Sequence, residues 1–288
     1  MFKYSKKIDL QINSKRVYLL DLIIVSIFFS ISSHCFSQTL DKPLKINSCQ
    51  VLDQQPHDTE SFTQGFVRDD NFFYESSGQY SASYISKYPA RSIADNDLKT
   101  SANEVIKVNL PRNIFAEGLT LFNDNLYLIT WKKGRAYQLD KNTLNPIKTF
   151  RYNGEGWGLT HNSHSLIMSD GSHLLRYYTP GTFTLEKTLS VQLNNKPLKD
   201  LNELEFHNGI IWANKWHSDA IYGIEEKSGK VVTIINCQNL KAIATTKDNS
   251  ENVLNGIAYD AGNKGLWVTG KYWHSRFLIE IPDLTLNH

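Results

Sequence analysis

One short segment recurs five times along this chain, and that repeat constrains the fold more than any other feature. Its copies are Phe62-Thr-Gln-Gly-Phe66, Phe115-Ala-Glu-Gly-Leu119, Gly156-Trp-Gly-Leu159, Leu201-Asn-Glu-Leu204 and Leu254-Asn-Gly-Ile257. Aligning Gly65, Gly118, Gly158, Leu204 and Gly256 gives intervals of 53, 40, 46 and 52 residues. After a short polar turn each copy is followed by an apolar, aromatic run: Phe72–Glu75, Leu126–Trp131, Ser165–Ser169, Ile210–Asn214 and Gly265–Thr269. Further runs at Arg135–Leu139, Leu174–Tyr178, Ala220–Ile224 and Phe277–Ile279 are rich in aromatic and β-branched residues, which argues strand. Only 239–246 reads as a short helix. A period near 40–50 residues with several strands per unit indicates a β-propeller. Five copies in 251 residues (38–288) leave about 50 per blade. The expected architecture is all-β, a single five-bladed β-propeller over 38–288. A β-sandwich with chance-recurring turns would not keep one register through five copies.

In a propeller the innermost strands line a channel, and equivalent positions of every blade ring one of its mouths. The residue before each aligned position reads Gln64, Glu117, Trp157, Glu203 and Asn255. A purely structural repeat would place one bland residue there, so this polar and aromatic set points to a site. The turns after the second strands add Trp131, Trp216 and Lys271, expected at the same end.

The first 37 residues read as an export signal. A basic stretch ends at Arg16, and an apolar run from Val17 to Ser33 follows, interrupted by Asp21 and a few serines. That run is marginal for a membrane span and placed as a signal core is. Cleavage after Ser37 leaves no membrane span; a lipid anchor at Cys35 is the alternative, with His34 an unfavourable neighbour. Of 31 Lys/Arg and 29 Asp/Glu, five and two fall in 1–37, which leaves 26 basic against 27 acidic residues. A near-neutral body lacks the basic face that phosphate backbones require, so nucleic acid is excluded as a partner. The remaining cysteines, Cys49 and Cys237, lie 188 residues apart. Spacing leaves open whether they pair or stay separate.

At its repeat segments the sequence resembles the glutamine cyclotransferases of plant and bacterial type, from about His57 to Phe277. The resemblance is carried by His57-Asp58, Phe62-Thr-Gln-Gly65, Tyr74-Glu-Ser-Ser-Gly78 and Phe115-Ala-Glu-Gly-Leu-Thr120. It continues in order through Thr130-Trp-Lys-Lys-Gly134, Glu155-Gly-Trp-Gly-Leu-Thr160 and Ser169-Asp-Gly-Ser172. It closes with Asn202-Glu-Leu-Glu205, Ala213-Asn-Lys-Trp216, Leu254-Asn-Gly-Ile257 and Thr269-Gly-Lys271. The resemblance implies a five-bladed propeller that converts an N-terminal glutamine of peptides and proteins to pyroglutamate and releases ammonia. It implies Glu117 as the proton-moving acid and Lys271 as a second catalytic group. Gln64 and Asn202 are then site amides, with Phe62, Phe115, Trp131, Trp157 and Trp216 as aromatic walls; Asn255 joins them by its ring position. Ala116 and Phe66 depart from the family's usual Gly and Leu without removing a reacting group. A monomer is expected.

The chemistry is compatible with these residues. The α-amine attacks the γ-carboxamide of the same residue, so the main demand is to fold one side chain over its own amine. Rigid tryptophan walls suit that task, and their indole N–H groups are available to donate hydrogen bonds. The α-ammonium, with a reference pKa of about 7.7–8.0, must lose a proton, and the departing NH₂ must gain one. One carboxyl raised by burial can do both in turn. Lys271 or Asn202 can stabilise the oxyanion. No cofactor is required, although Glu203 and Glu205 near the axis leave a structural calcium open. No Gly-x-Ser-x-Gly, Gly-x-x-x-x-Gly-Lys or His-Glu-x-x-His occurs, and His161 and His164 read as solvated turn residues. The competing readings are a non-catalytic propeller that binds peptide or sugar, and a metal-dependent propeller hydrolase.

Overall fold

A computed structural model describes residues 44–90, 105–245 and 249–284. The export segment expected at 1–37 lies outside these residues. Blade I comprises β3 (Thr63–Arg68), β4 (Phe72–Ser77), β5 (Tyr84–Pro89) and β6 (Ile106–Asn109); blade II comprises β7 (Ala116–Phe122), β8 (Asn125–Thr130), β9 (Arg135–Asp140) and β10 (Pro146–Arg151). Blade III is β11 (Leu159–His161), β12 (Leu166–Met168), β13 (Leu174–Thr179) and β14 (Thr184–Ser190). A hairpin of β15 (Gln192–Leu193) and β16 (Lys196–Pro197) leads to blade IV. Blade IV holds β17 (Leu201–His207), β18 (Ile210–Lys215), β19 (Ala220–Glu225) and β20 (Val231–Asn236). Blade V holds β21 (Leu254–Asp260), β22 (Gly265–Gly270) and β23 (Ser275–Glu280). The helix expected at 239–246 is α1 (Gln238–Ala244), between blades IV and V.

The N-terminal strands close the ring. β2 (Val51–Pro56) pairs antiparallel with β23 as the fourth strand of blade V, and β1 (Lys45–Ser48) pairs in parallel with β20 as a fifth strand of blade IV. The innermost strands β3, β7, β11, β17 and β21 contact one another in that cyclic order.

The core is divided among the blades. Each of five apolar clusters lies between two consecutive blades: Val67 and Ile85 against Leu119 and Leu128, for example, or Trp212 and Ile221 against Ile257 and Phe277. Both faces of every blade are therefore apolar, which is why the second strands read as continuous apolar runs rather than alternations. Truncating one such residue, Leu128→Ala for instance, costs about 2–5 kcal/mol.

The repeat glycines serve close backbone approach between innermost strands. A Cβ on Gly65 would lie 2.3 Å from the Leu119 nitrogen, one on Gly118 2.3 Å from the Leu159 nitrogen, and one on Gly158 2.0 Å from the Asn202 carbonyl oxygen. The pairing registers correct the alignment in blade IV. Inner and second strands slip by one residue between Thr63 and Gly65, Ala116 and Leu119, Leu201 and Leu204, and Leu254 and Ile257. Superimposing these bulges makes Leu204 the counterpart of Phe66, Leu119 and Ile257. Glu203, not Leu204, stands where the other blades have glycine, and Asn202 replaces Glu203 in the ring position.

Candidate active site

The bulges aim one side chain per blade toward a common mouth, a frequent use of such irregularities beside active sites. Those side chains are Gln64, Glu117, Asn202 and Asn255, together with Trp157 just ahead of β11; the polar four are each at most 4% exposed. They are linked across blades. The Asn255 Nδ2 donates to the Thr63 carbonyl at 2.8 Å and to Gln64 Oε1 at 3.4 Å. The Gln64 Nε2 in turn donates to Glu117 Oε1 at 3.0 Å. Asn255 thus fixes the orientation of the Gln64 amide, and Gln64 occupies one oxygen of Glu117. Oδ1 of Asn202 and Oδ1 of Asn255 are buried with no hydrogen-bond partner in the protein. Unmet acceptors of this kind are costly unless water or a ligand supplies donors.

The antiparallel pairing returns the ends of β8, β18 and β22 to the same mouth, bringing Trp131, Trp216 and Lys271 as expected. Lys271 Nζ lies 4.1 Å from the centroid of Phe62, and Phe62 meets Phe115 edge-on at 6.1 Å. Phe115 packs on Trp131 at 5.3 Å, and Trp157 stands edge-on to Trp216 at 5.9 Å. Phe62 is held by its neighbours: its N–H donates to Ser77 Oγ and its carbonyl accepts from the Gly78 N–H. These contacts join Lys271, Phe62, Phe115 and Trp131, and separately Trp157 and Trp216, while hydrogen bonds join Asn255, Gln64 and Glu117; Asn202 holds the equivalent ring position of blade IV.

Three contributors were not legible in the repeat. Tyr80 packs against Phe115 at 5.3 Å and Trp131 at 6.4 Å, and Tyr272 against Phe62 at 5.3 Å. Glu155 Oε2 accepts from the indole nitrogens of both Trp131 (2.7 Å) and Trp157 (3.1 Å). This corrects the expectation that these two indoles are free to donate to a ligand: Glu155 holds the walls apart. Its position two residues before Trp157 was the available signal.

Charge in the site is set by burial. Burial drives the Glu117 carboxyl well above the usual carboxylate range, opposed by the charge of Lys271 and reinforced by Glu155. Burial likewise lowers the Lys271 ammonium, opposed by Glu117 and Glu251. Each group limits the other's shift.

The axial glutamates Glu203 and Glu205 are taken up by main-chain donors. Glu203 accepts from the N–H groups of Ile257 and Phe66, and Glu205 from that of Tyr259. Among the described residues no group of three His, Cys, Asp or Glu side chains is placed to hold a metal ion. His161 departs from the solvated turn expected for it: it ends β11, is only partly exposed, and stands edge-on to Phe122 at 5.3 Å, while His164 is exposed.

A family model described as glutamine cyclotransferase matches residues 23–281. The chain is 32% identical over 248 residues to the glutaminyl-peptide cyclotransferase of Arabidopsis thaliana, covering 85% of this chain and 75% of that protein. The fold aligns with the crystal structure of Myxococcus xanthus glutaminyl cyclase at a TM-score of 0.72 and 31% identity, over 83% of this chain and 100% of the other. With motifs, blade number and sequence match in agreement over most of its length, the chain belongs to the glutamine cyclotransferase family.

Proposed function

We propose that the chain is an exported, monomeric glutaminyl-peptide cyclotransferase that closes an N-terminal glutamine onto its own α-amine, with Glu117 as acid–base and Lys271 as charge stabiliser. The observation that carries this reading is a buried carboxyl, Glu117, held by the Gln64 amide, together with a buried lysine, Lys271, set against the aromatic ring of Phe62.

The substrate's first residue is the part that must enter. Phe62, Phe115, Trp131, Trp157 and Trp216 confine its side chain in a folded conformation, which removes most of the entropic barrier to cyclisation. The unpartnered Oδ1 atoms of Asn202 and Asn255 suit the N–H donors of an α-amine and a carboxamide. A free α-amine and a protonated Glu117, or an ammonium and a carboxylate, hold the same number of protons, so the complex forms from either pair. With Gln64 donating to Oε1, the exchangeable proton belongs on Glu117 Oε2. The neutral amine attacks the γ-carbonyl carbon, the C–N bond forms, and the carbonyl oxygen becomes anionic. Lys271 stabilises that oxygen. Glu117 gives its proton to the departing nitrogen and recovers one from the attacking nitrogen; the old C–N bond breaks, and ammonia leaves. Nucleophile and electrophile arrive on one molecule, and no step calls for a cofactor.

The test is direct. The chain is incubated with a glutamine-initiated dipeptide and with its asparagine-initiated analogue, and ammonia is measured. Release from the first alone is expected. A chain that binds the glutamine dipeptide without releasing ammonia would instead be a binding propeller.

A further inference from the structure

Glu203 breaks the repeat at the one position where the other four blades have glycine. Gly65, Gly118 and Gly158 let consecutive innermost strands touch backbone to backbone, at the Leu119 and Leu159 nitrogens and the Asn202 carbonyl oxygen. Between blades IV and V a carboxyl takes the place of that contact. Glu203 is 0% exposed, and both its oxygens are used: Oε2 accepts from the Ile257 N–H at 2.8 Å, and Oε1 from the Phe66 N–H at 3.4 Å. Ile257 and Phe66 are the equivalent residues of blades V and I, each two places after a ring residue, Asn255 and Gln64. One side chain from β17 thus ties the bulges of three blades. Those bulges carry Asn202, Asn255 and Gln64, and the Asn255–Gln64–Glu117 hydrogen bonds run on from them across the V/I and I/II boundaries.

We propose that Glu203 is a positioning residue for the reaction: its carboxyl sets the spacing of the blade IV, V and I bulges, and through them the orientation of the Gln64 amide on Glu117. It touches neither substrate nor reacting atoms. Glu205 provides an internal control, because it makes the same kind of bond on the same strand pair, to the Tyr259 N–H at 2.9 Å, but two residues farther from the site.

This inference rests on the cyclotransferase reading, so kcat and KM for a glutamine-initiated dipeptide are measured first on the wild-type chain. Absence of turnover there fails that reading, not this one. Glu203→Gln keeps shape but places an NH₂ group against one of the two N–H donors. It is expected to lower kcat about 10–100-fold with KM within about threefold, as small misplacements of reacting groups do. Glu205→Gln is expected to stay within about twofold of wild-type kcat. In an Asn255→Ala background, where the relay is already cut, Glu203→Gln should cost less than about threefold more, since residues acting through one network are not additive. Circular dichroism and a cooperative melt establish that each variant is folded. If Glu203→Gln does not fold, Glu203→Asp is judged by the same criteria. A kcat within twofold of wild type, equal losses at 203 and 205, or full additivity with Asn255→Ala overturns the proposal.

Discussion

The side-chain amide of Gln64 donates to Glu117 Oε1 across the boundary between blades I and II, at 3.0 Å, with both residues buried. That contact makes Glu117 asymmetric: one oxygen is engaged and the other is left for a proton. Burial raises the pKa of this carboxyl, and in the proposed reaction that suits it to give a proton to the leaving amine and to recover one from the attacking amine.

Glu117→Gln keeps size and hydrogen bonding but cannot exchange a proton. Its kcat should fall by about 10²–10⁴, roughly 3–5 kcal/mol of barrier, with KM nearly unchanged. Steady-state kinetics on a glutamine-initiated dipeptide check this. If Glu203→Gln were inactive while Glu117→Gln retained most of its kcat, the acid would lie in blade IV instead.

Lys271→Ala should lower kcat by about 10²–10³. It should also move the pH profile in a defined direction. The charge of Lys271 holds Glu117 down against burial, so removing it raises the Glu117 pKa further, and the acidic limb of kcat/KM moves to higher pH. Lys271→Arg, which keeps the charge, should leave that limb closer to its wild-type position. An unmoved limb in Lys271→Ala would separate the two groups electrostatically.

Metal dependence separates this mechanism from a propeller hydrolase. EDTA should leave kcat unchanged at temperatures where the fold survives, while a lowered melting temperature would reveal a structural ion. Loss of activity in folded protein, restored by added metal, would require a different chemistry.

How far the fold could be read in advance depended on which surfaces each strand buries. Second strands such as Asn125–Thr130 are buried on both faces and stand out as apolar runs. Outer strands such as Thr184–Ser190 are mostly exposed, and their polar sequence looks like loop. The closing strands Lys45–Ser48 and Val51–Pro56 find partners more than 180 residues away, a pairing no local pattern encodes. In the site, residues in the repeat register were legible. Tyr80, Tyr272 and Glu155 were not, because they reach the pocket from turns without a repeat. The misalignment at Leu204 has a physical cause: a glutamate holds the place of a glycine, so matching glycines slips by one residue.

Close packing at the repeat glycines predicts a graded cost. Gly158→Ala puts a methyl 2.0 Å from the Asn202 carbonyl oxygen and 2.8 Å from the Glu203 Cα, both backbone atoms that cannot step aside singly. A loss of roughly 2–4 kcal/mol is expected, with reduced kcat because Asn202 moves too. Gly154→Ala is the comparison: its φ is +90°, but no atom lies within 4 Å of the added methyl. Its cost should be confined to backbone strain of about 1–3 kcal/mol, with kcat unchanged. Urea denaturation and steady-state kinetics on both variants distinguish the two outcomes.

Cys49 and Cys237 are both buried and free, and they are neighbours. β1 runs parallel to β20 with Ser48 opposite Asn236, and the Cys49 N–H donates to the Asn236 carbonyl at 3.0 Å, so the next step of the register sets Cys49 beside Cys237. Both side chains lie in one apolar cluster with Ile235 and Leu240. Adjacent strand positions fall within the Cα separation that a disulfide spans, about 4.4–6.8 Å. In an oxidising compartment the two should pair, fastening the first described strand to blade IV and closing a loop of nearly the whole propeller. Such a link is worth roughly 2–5 kcal/mol, and at about 2–4 °C per kcal/mol its reduction should lower the melting temperature by about 4–20 °C. Refolding in a glutathione couple, followed by peptide mass mapping without reductant, should recover a Cys49–Cys237 cross-linked peptide. Full alkylation of both cysteines after that treatment would show that the pair stays reduced and serves only as core packing.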